Sequence, residues 1–266
     1  MSRFLLLVLF LFSGGFVNAQ TPPVSGNLHQ KPLIISGFDD VLRQAENTGL
    51  TKAALKILED DKTFAGMPEL YQVITSEESG KIKFTLISGI ATWFHKRIEN
   101  FLKESHYPAS RLYLRNWFTE WSIGKFKTGH IENLLAENPE RKFIVIFDNS
   151  GPSIELANEL YKKHADKIHP VYLRQTVLKQ LPSQVVPFIT AYDIAISEFQ
   201  MGRLQQAEVE KVATAILIET KTEHLVPSYA YCPVDYNPCG NTPPGALPLC
   251  EVVRSKIVTL CKLRQK

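Results

Sequence analysis

The stretch Lys31-Pro-Leu-Ile-Ile-Ser-Gly-Phe-Asp-Asp-Val-Leu42 decides how the chain is read. Leu33 to Ile35 have the length and β-branched content of a buried strand, and Ser36, Gly37, Asp39 and Asp40 follow where it gives way to a loop. Open α/β sheets place their sites at the carboxyl ends of such strands. Whether this protein is a catalyst therefore turns on position 37, a glycine.

Beyond this stretch the pattern becomes a regular alternation. Lys83 to Ser88, Arg111 to Arg115, Lys142 to Phe147 and Ile168 to Arg174 read as strands; Trp93 to Glu104, Lys127 to Glu137 and Ser153 to His164 read as helices between them. Strands alternating with helices of ten to fifteen residues specify a parallel sheet with crossover connections. With Leu33 to Ile35 the expectation is an α/β three-layer sandwich with a five-stranded parallel sheet. Val41 to Met67, broken by Asn47-Thr-Gly49, reads as an insertion of short helices, and the segment from Gly66 to Ile74 as a helix with Pro68 in its first turn. Thr190 to Thr220 reads as further helix with a break at Gly202.

The amino terminus predicts export. A basic residue, the apolar run Phe4 to Phe12 and the small residues of Val17-Asn-Ala19 form a secretory signal peptide over 1–19, the run being shorter than the roughly 20 residues that span a bilayer. The expected destination is periplasmic or secreted. A polar lead-in over 20–31, a main domain over 32–220 and a cysteine-containing tail over 221–266 complete the organisation. The 30 Lys and Arg are interspersed among 27 Asp and Glu, net +3, which argues against a nucleic-acid partner and permits peripheral contact with an anionic membrane surface.

All four cysteines, Cys232, Cys239, Cys250 and Cys261, lie in that tail. An even count in an exported chain suggests two disulfides; four thiolates can also hold zinc, but the spacings contain no C-x-x-C pair. Leu249, Val252, Val253, Ile257 and Leu260 recur at helical spacing, which puts Cys250 and Cys261 about 16 Å apart on one helix face. They are too far apart to bond each other, so each pairs with Cys232 or Cys239.

The strand ends carry the chemistry. Gly37, Asp39 and Asp40 follow the first strand, Ser88 and Gly89 the second, Lys127 opens the helix before the fourth, and Asp148-Asn-Ser150 closes the fourth. A hydroxyl, an ammonium and two or three carboxylates on one sheet edge suit a phosphate with a hard cation. Singly, Asp148 reads as a turn residue and Lys127 as a surface charge; their order as a set carries the specificity.

From Pro32 to Thr176 the chain resembles the catalytic domain of actin-patch-protein-type phosphatidate phosphatases, in the haloacid dehalogenase superfamily. The matching phrases are Ile-Ser-Gly-Phe-Asp-Asp at 35–40, Gly-Met-Pro-Glu-Leu-Tyr at 66–71, Leu-Ile-Ser-Gly at 86–89, Arg-Leu-Tyr-Leu-Arg at 111–115, Phe-Lys-Thr-Gly-His-Ile at 126–131, Arg-Lys-Phe-Ile-Val-Ile-Phe-Asp at 141–148 and Val-Tyr-Leu-Arg at 171–174. The resemblance implies a haloacid-dehalogenase-like fold and a magnesium-dependent phosphomonoesterase working through an aspartyl-phosphate. By position, Asp39 matches the acid/base, Ser88 and Lys127 the phosphate-binding groups, and Asp148 with the Asp39 backbone carbonyl the magnesium ligands. Gly37 stands where the family has its nucleophilic aspartate, and the family's later acid falls near Ser153.

The expectation is an exported domain with lost or strongly reduced phosphatase activity, weak magnesium affinity, and a pocket for a phosphate-containing small molecule or phospholipid. Two alternatives stand beside it. One is an active magnesium-dependent phosphatase in which Asp39 directs a metal-activated water, or Asp40 attacks. The other is a structural module that binds partners through its tail.

Overall fold

The computed structural model describes residues 31–45, 62–78, 80–240 and 247–265. The expected signal peptide, the lead-in up to Gln30 and most of the insertion after the first strand lie outside those residues.

The described strands are β1 (Leu33–Ser36), β2 (Phe84–Ala91), β3 (Ser110–Arg115), β4 (Phe143–Asp148), β5 (Ile168–Arg174) and β6 (Val185–Phe188). They form one all-parallel sheet in the order β3-β2-β1-β4-β5-β6. The sheet has six strands, not five. The sixth, Val185-Val-Pro-Phe188, is only four residues long and contains a proline, which breaks the usual strand pattern. Proline is tolerated because β6 is an edge strand and pairs with β5 alone.

Residues alternate between two packed faces, as side chains on a pleated strand must. Ile34, Ile144, Ile146 and Tyr172 point to one core, and Ile35, Val145, Phe147 and Leu173 to the other. Because both faces are covered, β4 reads as an unbroken apolar run. The first core is closed by helices α1 (Met67–Ile74), α2 (His95–Glu104), α5 (Ala191–Gln200), α6 (Gln206–Ile218) and α8 (Cys250–Arg264); the second by α3 (Ile123–Glu137) and α4 (Ser153–His164). A short α7 (Thr222–Leu225) links α6 to the tail.

Local chemistry explains the boundaries. The Gly66 backbone, at φ 80°, opens α1, and a Cβ there would meet Ile216 at 3.0 Å and Ala191 at 3.2 Å. Gly202, at φ 72°, separates α5 from α6 where the break was expected. Helix α3 begins four residues earlier than the pattern suggests, because the Ser122 hydroxyl caps it by accepting from the Lys125 N–H. Lys127 is thus one turn inside the helix.

Cys232 bonds Cys261 and Cys239 bonds Cys250, so both cysteines of α8 are tied to the preceding loop. The tail is no loose appendage: Val253, Ile257, Leu260 and Cys261 belong to the first core with α6.

Candidate functional site

The strand order reverses between β1 and β4, which makes their carboxyl ends a topological switch point. There the Gly37 N–H donates to the Ile146 carbonyl at 2.9 Å, carrying the chain just past β1. The loop then turns sharply. Asp40 adopts φ 54°, and its N–H donates to the Arg43 carbonyl at 2.7 Å. A short polar side chain tolerates that conformation better than an apolar one.

The two acids of this loop have separate surroundings. Asp39 Oδ1 accepts from Arg43 Nη2 at 2.6 Å and from Nε at 3.2 Å. Asp40 Oδ1 accepts from the Ala45 N–H at 2.9 Å and from the Tyr229 hydroxyl at 2.6 Å. Asp40 thereby fixes the loop to the carboxyl-terminal segment.

Across the switch point, Asp148 is the last residue of β4, and its Oδ1 accepts from the Ser150 N–H at 2.7 Å. Lys127 reaches in from α3, with Nζ 4.6 Å from the centre of the Phe147 ring. No described group accepts a hydrogen bond from that ammonium. The Phe147 ring also packs against the bare Cα of Gly37: a Cβ at 37 would stand 3.1 Å from Phe147 Cδ1 and 3.2 Å from Val41 Cγ2. A side chain at position 37 would need the Phe147 ring and Val41 to give by a few tenths of an ångström.

Electrostatics ties the charged members together. Burial pushes the carboxyls of Asp39 and Asp148 up from the usual carboxylate range; Arg43 opposes the shift at Asp39 and Lys127 opposes it at Asp148. Burial pulls the Lys127 ammonium down, against the attraction of Asp148 and Asp39. Asp39, Asp40, Lys127 and Asp148 therefore share one electrostatic neighbourhood.

Ser88 is placed less directly. It sits inside β2 rather than at its end, where the register against β3 shifts, and its Oγ accepts from the Ile90 N–H at 3.2 Å. No hydrogen bond joins it to the other four. Ser153, at the position of the later acid, is buried in the first turn of α4.

The donor set suits a divalent cation poorly. One Asp39 oxygen is taken by Arg43, Asp148 holds one N–H, and position 37 has no side chain. Among the described residues no group of three or more His, Cys, Asp or Glu side chains is arranged to hold a metal ion. Hard cations take six or more oxygen ligands.

Sequence reasoning passed over three residues. Arg43 lies four positions from Asp39, a spacing that could have flagged the pair. Phe147, adjacent to Asp148, carries no sequence signal beyond that of a strand-core residue. Arg174 ends β5 buried between the Phe64 and Phe188 rings, donating to the Ile189 carbonyl at 2.6 Å and to the Val41 carbonyl at 3.3 Å. Burial lowers its guanidinium to about 10, and it braces the back of the β1 loop.

The fold and site together define a doubly wound, parallel α/β protein whose ionisable groups cluster at the switch point. The chain belongs to the family described as phosphatidate phosphatase APP1, catalytic domain, whose model matches residues 33–175. That span runs from β1 to the residue after β5 and agrees with the resemblance to within one residue at each end. No curated protein and no solved structure matches the chain.

Proposed function

We propose that this member of the phosphatidate phosphatase family has lost aspartyl-phosphate chemistry and binds a phosphate-containing ligand, a phospholipid headgroup or a smaller phosphomonoester, at the switch point. The carrying observation is the Phe147 ring against Gly37 with the Lys127 ammonium above it. A ring offers neither a nucleophile nor a metal ligand, whereas an ammonium with unspent donors suits a phosphate oxygen. The haloacid-dehalogenase relationship, and the reading of Gly37 as a lost nucleophile, rest on the motif order at 35–40, 86–89, 126–131 and 141–148. In this reading Lys127 and Ser88 contact phosphate, and Asp148 orients Lys127.

Asp39, clamped by Arg43, is a poor acid/base, and magnesium affinity is weak for want of carboxylates. The two disulfides fit an oxidising compartment, which supports export. No described helix is long and apolar enough to cross a membrane.

The test compares phosphate release from a chromogenic phosphomonoester and from phosphatidic acid, with magnesium, alongside calorimetric binding of inorganic phosphate. A silent wild type that binds phosphate, and a Lys127→Met variant that does not, support the proposal. Chelator-sensitive turnover by the wild type overturns the loss of chemistry, and Asp39→Asn then tests water activation. Absence of phosphate binding overturns the ligand assignment and favours a partner-binding module.

A further inference from the structure

The chain has three tryptophans, Trp93, Trp117 and Trp121, and all three lie on two loops at one corner of the sheet. Trp93 follows β2, and Trp117, Phe118 and Trp121 fill the turn between β3 and α3. Both loops leave carboxyl ends of strands, on the edge that carries the switch point. The rings gather: Trp93 lies 5.5 Å from Trp117 and 6.2 Å from Phe118, centre to centre. Trp117 anchors the group by donating from Nε1 to the Gly89 carbonyl at 2.9 Å, with the Arg115 guanidinium 5.4 Å over its ring.

The outer rings are left in water. Trp93 is 56% exposed, Phe118 78% and Trp121 84%. Isolated exposed apolar residues need no explanation, but Trp93 and Phe118 are in ring contact and Trp121 is exposed in the same turn as Phe118, a grouping that marks an interaction surface.

Its charge surroundings select the partner. The cations beside it that solvent reaches, Lys96, Arg97 and Lys125, outnumber the carboxylates Glu99 and Glu120, and the Glu120 carboxylate accepts from the Asn116 N–H. Tryptophan rings favour the headgroup level of a bilayer, and neighbouring cations favour anionic lipids. We propose that this aromatic corner docks the protein, without spanning, on an anionic bilayer surface, with Trp93, Phe118 and Trp121 inserted at the interface. The surface stands independently of the phosphate pocket, although it would present that edge of the sheet to the headgroups.

Intrinsic tryptophan emission reports on this corner alone. Purified protein is mixed with vesicles of phosphatidylcholine, with or without a minority of phosphatidylglycerol, and followed by emission and by co-sedimentation. The expected result is a blue shift and pelleting with anionic vesicles that weaken at high salt. Phe118→Ser with Trp121→Ser is expected to reduce partitioning tenfold or more while the far-ultraviolet circular dichroism and thermal midpoint stay near wild type. Lys127→Met is expected to leave vesicle binding intact, which separates this proposal from the phosphate reading.

No pelleting of wild type with anionic vesicles overturns the proposal. So does equal partitioning of the double variant, or equal binding to neutral and anionic vesicles. Self-association that the double variant abolishes, without vesicle binding, assigns the patch to a protein contact instead and also overturns it.

Discussion

The Phe147 ring lies so close to Gly37 that a Cβ on that glycine would approach Phe147 Cδ1 to 3.1 Å. Gly37 follows β1 and Phe147 is the penultimate residue of β4, and the register places Ser36 opposite Ile146, so their packing lies at the centre of the switch point.

Crowding at this pair should be measurable. Gly37→Ala is expected to cost about 1–3 kcal/mol, the range for overpacking a buried site. In a Phe147→Ala background the same substitution should cost clearly less, because the obstructing ring is gone. Urea denaturation of the four proteins in this double-mutant cycle reads the coupling, and additive costs would refute direct packing. By the same reasoning, Gly37→Asp with Phe147→Ala is better placed to admit a carboxylate than Gly37→Asp alone.

Removing the buried Arg43 guanidinium leaves the partly buried Asp39 carboxylate without its ion-pair partner. Arg43→Met should destabilise the protein by about 3–5 kcal/mol at neutral pH. The Asp39 carboxyl is already raised by burial, and loss of Arg43 raises it further. The penalty is therefore largest with the acid ionised and shrinks as pH falls through that raised value, since a protonated carboxyl needs no cation. Chemical denaturation across acidic and neutral buffers tests the sign.

Lys127→Met keeps an apolar stem over Phe147 and removes the charge. A charge-assisted hydrogen bond contributes about 1.5–3 kcal/mol, so phosphate affinity should fall about 10-fold to 100-fold. Calorimetry on wild type and variant gives the ratio; an unchanged affinity would place the ligand elsewhere.

Burial raises the hydroxyls of Tyr71, Tyr107, Tyr172 and Tyr236 above the ordinary tyrosine value of 10.0. In the unfolded chain they ionise near their ordinary value, while the folded protein retains the protons. Stability is therefore full below that pH and declines as pH rises above it. Tyrosinate absorbance at these positions should appear together with loss of circular dichroism, not ahead of it.

Each disulfide ties α8 to the preceding loop, with separations of 29 residues for Cys232–Cys261 and 11 for Cys239–Cys250. On chain-entropy grounds the first contributes about 3.5 kcal/mol and the second about 3 kcal/mol. Replacing each pair by serines should lower the thermal midpoint, more so for Cys232 and Cys261.

Much of the molecule was legible in its residues. Five apolar runs separated by amphipathic segments specify a parallel sheet, because only crossover helices join parallel strands and only a doubly covered sheet needs unbroken apolar strands. Asp39 and Asp148 fall at strand ends, which converge where the sheet order reverses, whereas Lys127, expected to open its helix, lies one turn inside α3. Helical spacing also excluded a Cys250–Cys261 bond. What the chain could not declare locally was decided by contacts distant in sequence. The edge strand Val185–Phe188 is a strand because β5 offers it a partner. Which cysteine of the loop meets which of α8 depends on how the described loop residues pack at the start of α5, where the Thr190 and Tyr236 hydroxyls share a hydrogen bond. Above all, the packing of Phe147 against Gly37, and the arrival of Lys127 over that ring, join residues from three elements. Their proximity depends on how those elements pack, because a side chain's environment is set by its neighbours in space, and periodicity along the chain reports only which face it turns to them.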